Sequence, residues 1–149
     1  MKLTVLAATA ALLAAPAFAG SHGGPGDAAA GEGEFRGCAA CHSIVDPDGN
    51  RLAGRGAKTG PNLYGIVGQA MGAQEGFRYR DGMKLANEQG LVWDAESLAE
   101  YIPDPQGYIR TATGDASVRV GMARQRVKNI DDLVAFLALN SPVAEDASN

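Results

Sequence analysis

The sequence predicts an all-α fold in which short helices are joined by long loops. Its 149 residues include 20 glycines and 7 prolines, which favour turns and interrupt helices. No segment shows a sustained alternation of apolar and polar residues, so strands are not expected to dominate. Apolar residues recur instead at helical spacing, in short stretches that begin after Asp or Asn, and these residues cap helices well.

The N-terminal segment has the pattern of a secretory signal peptide. Lys2 supplies the positive start, residues 3–15 form an apolar run, and Ala17-Phe18-Ala19 is a small-residue cleavage site. An uncleaved anchor is the alternative, but the run is short for a transmembrane helix. We expect export to the periplasm, cleavage after Ala19 and a soluble mature chain of 130 residues, enough for one compact domain.

Capping and stop residues predict how the mature chain is organised. The expected division is a signal peptide over residues 1–19, a flexible segment over 20–27, one domain over 28–142 and an acidic tail over 143–149. The expected elements are a helix from Asp27 to Gly37, a surface loop over 46–60, a helix over 81–89 ended by Gly90, a helix over 95–102 capped by Asp94 and stopped by Pro103 and Pro105, an irregular region over 106–127, and a last helix capped by Asn129 and closed by Pro142.

The segment Cys38-Ala39-Ala40-Cys41-His42 carries the clearest chemical signal. It reads C-x-x-C-H, the pattern of a c-type haem attachment site. Each thiol can add to one vinyl group of a haem, and a spacing of two residues matches two vinyls on one porphyrin edge. His42 is then held under the iron, where an imidazole nitrogen can ligate it. We therefore predict one haem c, bound covalently through Cys38 and Cys41.

Three other uses of the two cysteines are open at this point. A redox dithiol normally occurs in a βαβ pattern, which this chain lacks. A closed structural zinc site usually needs four ligands, and Cys38 and Cys41 are the only cysteines. A plain disulfide is possible in an exported protein. None of the three requires a histidine directly after Cys41, whereas haem attachment does.

A sixth iron ligand is expected among the methionines beyond His42. The candidates are Met71, Met83 and Met122. Met122 follows Gly121, lies in the region before the last helix and is 80 residues beyond His42. For each of the three candidates a gap-filling core methionine is the structural alternative.

From Gly31 to about Pro142 the chain resembles a class I cytochrome c, most of all the soluble bacterial cytochrome c2 and c-550 group. Besides the attachment motif, the resemblance is carried by Gly31 and Phe35 with Leu133 and Phe136, and by the segment Thr59-Gly60-Pro61-Asn62-Leu63-Tyr64-Gly65. It implies a class I cytochrome c fold, with long loops wrapped around the haem and the first and last helices crossing. Glycine at the crossing permits close backbone approach.

The resemblance also implies the sixth ligand and the surroundings of the haem. It makes Met122 the expected iron ligand, with Met83 as the fallback. By that match the Pro61 carbonyl accepts the His42 ring N–H, a bond that orients the imidazole and makes it more basic. Tyr79 and Trp93 match aromatic donors to a buried haem propionate, and Tyr101 matches the tyrosine near the methionine sulfur. The alternative for all three is a core aromatic with an ordinary polar partner.

Two departures from the family pattern concern the same surroundings. Gln69 stands where the family often has an arginine near a propionate. The segment Val118-Arg119-Val120-Gly121-Met122-Ala123-Arg124 lacks the threonine and the aromatic residue that commonly flank the ligand methionine. The shielding of the haem on the methionine side is therefore where this chain is expected to differ most.

A His/Met-ligated iron has no open coordination position, which suits outer-sphere electron transfer and not enzymatic chemistry. The thioether and a low-dielectric pocket favour Fe(II) and raise the potential. We expect a periplasmic one-electron carrier. A small peroxidase with a labile Met122, and a thiol–disulfide oxidoreductase using Cys38 and Cys41, are the other hypotheses.

Docking is expected to use basic residues near the exposed haem edge. The net charge of −4 argues against nucleic acid as a partner, and many acidic residues lie away from the two haem-binding segments. The basic residues near those segments are Arg36, Arg51, Arg55, Lys58, Arg119, Arg124, Arg126 and Lys128. The resemblance implies a cytochrome bc-type complex as donor, a photosynthetic reaction centre, terminal oxidase or reductase as acceptor, and a monomeric carrier.

Overall fold

The computed structural model describes residues 26–142. The predicted signal peptide, nearly all of the segment over residues 20–27 and the acidic tail lie outside the described residues. The described elements are α1 (Ala28–Phe35), a 3₁₀ turn (Cys38–Ala40), β1 (Ser43–Val45), β2 (Arg51–Gly54), α2 (Asp81–Glu88), α3 (Ala95–Tyr101), α4 (Pro105–Thr113) and α5 (Ile130–Leu139). Five short helices thus dominate the fold, as predicted, and long connections separate them.

Three predicted helix starts are confirmed by their capping hydrogen bonds. The Asp27 carboxylate accepts the Ala29 N–H at 2.8 Å. Asp94 begins α3 with a reciprocal capping box, in which its carboxylate accepts the Ser97 N–H and the Ser97 hydroxyl accepts the Asp94 N–H. Asn129 caps α5. These helices are too short to form on propensity alone, so local caps and tertiary packing together define them.

The first and last helices cross at a glycine. A Cβ at Gly31 would run into the Asp132 carbonyl group of α5, and it would lie 2.8 Å from Phe136 Cβ. Only a residue without a side chain allows the two backbones to approach so closely. Next to this contact the Phe35 and Phe136 rings pack with their centroids 5.5 Å apart. The predicted crossing is therefore confirmed, and it holds the helix that leads into Cys38.

The predicted surface loop over residues 46–60 is wrong in part, because β2 lies inside it. β2 pairs antiparallel with β1, with Ile44 opposite Ala53. The Asp and Asn residues that favoured a loop form the hairpin turn instead: Asp46 accepts the Asn50 N–H at 2.8 Å. The pairing joins residues six to eleven positions apart, which no local pattern in this segment indicates.

The predicted irregular region over residues 106–127 is also wrong in part, because α4 occupies its first third. Pro105 was expected to stop a helix, but it is the first residue of α4, where a missing N–H costs nothing and the fixed φ suits the helix. The Asp104 side chain caps α4 by accepting the Gly107 N–H at 3.2 Å. The sequence Asp104-Pro105 is thus a helix start that follows the end of α3.

One core lies between the helices and the long connections. Its most buried large side chains include Ile44, Met71, Ile109 and Leu133, each no more than 1% exposed. Within residues 26–142 no helix is long and apolar enough to cross a membrane.

Candidate haem site

A cavity of about 410 Å³ in the described part of the chain brings together most of the predicted site residues. Its lining is mainly apolar and comes from α1, α2, α3, α5 and the connections between them. The predicted site residues that line it are Cys38, Cys41, His42, Pro61, Tyr79, Tyr101 and Met122. Cys38 and Met122, which are 84 positions apart in the chain, thus line the same cavity.

His42 has a defined ring orientation in this cavity. Its Nδ1 lies 2.9 Å from the Pro61 carbonyl oxygen, so Nδ1 carries the proton and Nε2 is free to ligate. Gly60 packs on the ring: a Cβ there would lie 2.6 Å from Nδ1 and 2.8 Å from Nε2. Burial lowers the pKa of His42, and the Pro61 carbonyl opposes that shift, so a neutral imidazole is favoured.

The two cysteines lie on the 3₁₀ turn that precedes His42. Cys38 is half-buried and Cys41 is exposed. The Cys41 and His42 N–H groups donate to the Cys38 carbonyl at 3.0 and 2.9 Å, so the turn fixes the relative positions of all three residues. Local geometry, and not a distant contact, therefore presents the C-x-x-C-H motif to the cavity.

The environment of the cysteines does not suit a redox dithiol or a zinc site. Burial raises the pKa of the Cys38 thiol, and Cys41 and Glu34 raise it further, whereas a reactive dithiol needs a lowered pKa. Over residues 26–142, no group of three or more His, Cys, Asp or Glu side chains is arranged to hold a metal ion. Haem attachment is the use of the motif that these surroundings favour.

The three candidate methionines occupy different environments. Met71 is 1% exposed, and it does not line the cavity, as expected of a core methionine. Met83, on α2, is buried and lines the cavity. Met122 is half-buried and lines the cavity from the loop between α4 and α5. Met122 and Met83 thus have access to the space beside His42, and Met71 does not.

The three predicted aromatic residues differ in their contacts with the cavity. Tyr101 lines it. Burial and, to a smaller extent, the nearby Tyr79 hydroxyl raise the pKa of the Tyr101 phenol, so Tyr101 stays a neutral hydrogen-bonding group. Tyr79 also lines it and packs edge-on against Phe77, with ring centroids 4.8 Å apart. Trp93 does not line the cavity. Its ring packs edge-on against that of Tyr101, with the ring centroids 4.7 Å apart. Its assignment to a propionate stays a prediction.

Sequence reasoning missed the two arginines on either side of Tyr79. Arg78 and Arg80 are exposed and line the cavity, while Gln69, at the position where the family often has an arginine, does not line it. The sequence did contain a signal for them. Arg78 and Arg80 flank Tyr79, and the neighbours of a residue that lines a cavity are expected near the rim of that cavity. Arg78 and Arg80 add positive charge at the edge of an otherwise apolar site.

The residues present fit a covalently bound haem. Two thiols, an imidazole with a fixed tautomer and a thioether face one apolar space, and tyrosine hydroxyls and arginines lie at its edge. Thiolate, imidazole and thioether are the groups that proteins use to attach haem c and ligate its iron.

Comparison with known proteins finds cytochromes c that are similar to this chain over nearly its whole length. The chain is 44% identical to cytochrome c2 of Rhodobacter capsulatus over 140 residues, which cover 93% of this chain and 97% of the relative. It is 45% identical to cytochrome c-550 of Paracoccus versutus over 147 residues, covering 97% and 92%. No protein-family model matches the chain.

Solved structures of the same group share the fold. Ferric cytochrome c-550 from Paracoccus versutus superposes with a TM-score of 0.73 at 45% identity, over 78% of this chain and 99% of that one. Cytochrome c2 from Paracoccus denitrificans gives a TM-score of 0.73 at 45% identity, over 78% and 98%. The chain therefore belongs to the cytochrome c2 and c-550 family of class I cytochromes c, and it is an electron-transfer protein that carries one covalently bound haem c.

Proposed function

We propose that the chain is a periplasmic one-electron carrier whose haem is bound through Cys38 and Cys41 and whose iron is ligated by His42 and Met122. The observation that carries the proposal is that all four side chains line one apolar cavity. His42 adds a second argument, since the Pro61 carbonyl accepts from Nδ1 at 2.9 Å and leaves Nε2 to the metal.

Met122 is preferred to Met83 because of where each methionine lies. Met83 lies on α2 and is only 6% exposed, so the helix backbone and the surrounding core fix its position. Met122 is half-buried on an irregular loop, so its thioether can adjust to the ligation geometry. Ligation by both His42 and Met122 would leave the iron no open position, and the haem would supply reversible Fe(III)/Fe(II) exchange of a single electron.

The protein's own contribution is to exclude water and set the charge around the haem. The apolar lining disfavours the extra positive charge of the oxidised state, and the methionine sulfur stabilises the reduced state. Tyr79 and Tyr101 supply hydroxyl groups toward the cavity. Together these groups raise the reduction potential, as expected of a carrier on the high-potential side of an electron-transfer chain.

We infer that docking uses the basic rim, which we define as the eight predicted basic residues together with Arg78 and Arg80: Arg36, Arg51, Arg55, Lys58, Arg78, Arg80, Arg119, Arg124, Arg126 and Lys128. All ten are exposed, and Arg78 and Arg80 line the cavity itself. Such a surface steers the protein toward acidic partners, and salt weakens the effect. The proposed partners are a cytochrome bc-type complex as donor and a reaction centre, terminal oxidase or reductase as acceptor, with the chain acting as a monomer.

The ligand assignment is tested by the weak far-red iron–sulfur band of the oxidised holoprotein. We expect this band in the wild type and in Met83→Leu, which keeps the volume of a core side chain. We expect the band to vanish in Met122→Ala. If Met83→Leu abolishes the band and Met122→Ala keeps it, the ligand is Met83 and the present assignment is wrong.

The docking surface is tested by second-order electron transfer between the reduced holoprotein and a membrane fraction that contains an oxidase or a reaction centre. We expect Arg78→Glu and Arg119→Glu to slow the reaction and to weaken its salt dependence. Lys84→Glu is the matched control, because Lys84 is exposed on α2 and does not line the cavity. Equal slowing by all three substitutions, or no dependence on salt, would contradict a localised basic rim.

A further inference from the structure

We propose that Gln106, in the first turn of α4, is a positioning residue that holds Met122 in place by clamping the backbone of the Met122 loop, defined as residues 118–125. The inference rests on the proposed ligation by Met122, and it adds a residue that no family motif quoted above contains. Gln106 does not line the cavity, so any influence on the iron acts through the loop.

The clamp consists of two hydrogen bonds from one side-chain amide. Gln106 Nε2 donates to the Val118 carbonyl at 2.8 Å, and Gln106 Oε1 accepts the Val120 N–H at 3.3 Å. Donor and acceptor of the same amide thus bind the chain two and four residues before Met122. An amide held at both ends has a fixed orientation, and it fixes the backbone segment that it bridges.

The Met122 loop has little else to hold its central part. Over residues 120–124, and counting only acceptors within residues 26–142, Val120 is the one residue whose main-chain N–H donates to the protein, and its acceptor is Gln106. The loop is anchored before this stretch, where the Gly82 N–H donates to the Arg119 carbonyl at 3.0 Å. It is anchored after it, where the Gln125 N–H donates to the Ile102 carbonyl at 3.1 Å. The Arg119 N–H also donates to the Asp81 carboxylate at 3.1 Å, so Gln106 and α2 together hold residues 118–120. The bond from Val120 to Gln106 is the nearest of these to Met122 along the chain.

The first turn of α4 contacts the loop a second time through an exposed ion pair. Arg124 Nη2 lies 2.8 Å from Asp104 Oδ2, and Arg124 Nε donates to Asp104 Oδ1 at 3.1 Å. The Gly107 N–H and then Arg124 hold the pKa of Asp104 below its usual range, so the carboxylate stays charged. Because exposed pairs contribute little, we assign the positioning to the partly buried Gln106 amide and not to this pair.

Loss of the clamp is expected to increase transient release of Met122. Each hydrogen bond contributes modestly, and Val118 and Val120 would be left with unpaired backbone groups, so we expect local opening of the loop to become about tenfold more frequent. The crossing of α1 and α5 does not involve Gln106, so we expect the loss of these two bonds to affect the loop more than the fold as a whole.

The test compares Gln106→Ala with Gln89→Ala in the oxidised holoprotein. Gln89 is the matched control, because its Nε2 also donates to a backbone carbonyl of α4, that of Thr113 at 3.0 Å, but at the end of α4 distant in sequence from Gln106. The first readout is the rate at which excess cyanide replaces the methionine ligand. We expect about a tenfold increase in Gln106→Ala and no change in Gln89→Ala.

The second readout is amide hydrogen exchange at Val120, which does not depend on the identity of the sixth ligand. We expect faster exchange in Gln106→Ala and an intermediate rate in Gln106→Glu, which keeps the acceptor for Val120 and loses the donor to Val118. Faster Val120 exchange without faster cyanide binding would overturn the positioning role. Equal cyanide rates in the Gln106→Ala and Gln89→Ala variants would do the same.

The two proposals fail in distinguishable ways. If Met122 is not the ligand, Met122→Ala keeps the far-red band, while the hydrogen-exchange result for Gln106→Ala is unaffected. If Gln106 is not a positioning residue, the far-red band behaves as proposed, and cyanide binds to Gln106→Ala at the wild-type rate.

Discussion

The two sides of the haem cavity are built differently. The His42 side, residues 38–65, is held by contacts within itself: the 3₁₀ turn, the hairpin, the Pro61 carbonyl and the close packing of Gly60 on the imidazole. The Met122 loop makes almost no hydrogen bonds of its own and is held from outside by α2, α3 and α4. The difference teaches that the His42 side is positioned by its local sequence and the Met122 side by tertiary structure.

Each side nevertheless uses one side-chain amide as a clamp. Asn62 accepts the Val45 N–H at 2.9 Å and donates to the Val45 carbonyl at 2.7 Å, so it pairs with β1 as a neighbouring strand would. Gln106 bridges two residues of the Met122 loop, on either side of Arg119, which α2 holds by two further hydrogen bonds. Removing the first clamp should weaken the whole domain, whereas removing the second should free only the loop.

The largest effect is expected from Gly60→Ala. Its methyl group would lie 2.6 Å from His42 Nδ1, so the ring must move and its bond to the Pro61 carbonyl must lengthen. We expect a loss of about 3 kcal/mol in the free energy of unfolding and a smaller yield of haem-loaded protein. Denaturant unfolding and the haem content of purified protein measure both effects. Gly33→Ala is the control, because a Cβ at Gly33 would meet no atom within 4 Å.

The next largest effect is expected from Asn62→Ala. Val45 would lose partners for both its N–H and its carbonyl group, which costs about 2 kcal/mol of stability for two partly buried hydrogen bonds. The cyanide association rate should stay at the wild-type value, because the Met122 loop is untouched. An accelerated cyanide reaction without a loss of stability would contradict the division between the two sides.

A smaller effect is expected from Gly82→Ala at the contact between α2 and the Met122 loop. The new Cβ would lie 2.9 Å from the Arg119 carbonyl oxygen and 3.0 Å from Ile109 Cγ2, so the loop must shift by a few tenths of an ångström. The better helix propensity of alanine offsets part of the strain, which leaves a net loss of about 1 kcal/mol. Cyanide binding should become a few-fold faster. A wild-type rate would show that the loop anchor does not control access to the iron.

The smallest effect is expected from Arg124→Gln, which removes the exposed ion pair with Asp104. The Arg124 side chain is 73% exposed and that of Asp104 is 42% exposed, so solvent and salt screen the pair. We expect less than a twofold change in the cyanide rate, and no difference from wild type at high salt. A change as large as that in Gln106→Ala would transfer the positioning role from the amide to the ion pair.

The same division explains how much the sequence could predict. The C-x-x-C-H motif and the caps at Asp27, Asp94 and Asn129 act over a few residues, so they were predictable from local pattern. The crossing of α1 and α5 was predictable from the family resemblance, because Gly31 has a recognisable place in it. The resemblance also supplied the bond between His42 and the Pro61 carbonyl, which the structure contains.

The start of α4 was missed although its signal is local, because Asp104 at the cap position and Pro105 at the first helical position are a helix-start pattern. What could not be predicted depends on contacts between segments that are apart in the chain. β2 exists because β1 lies beside it. Gln106 is an ordinary polar residue on a short helix until the fold brings Val118 and Val120 within its reach. No spacing rule connects these residues, so only the three-dimensional structure identifies them.

The most direct test of the contrast is native-state hydrogen exchange in the unmodified holoprotein, comparing the amides of Gly60 and Val120. The Gly60 N–H donates to the Cys41 carbonyl at 2.7 Å on the His42 side, and the Val120 N–H donates to Gln106 in the Met122 loop. We predict that Gly60 exchanges only through global unfolding and that Val120 exchanges through local opening at a free energy several kcal/mol lower. Equal protection of the two amides would contradict the account.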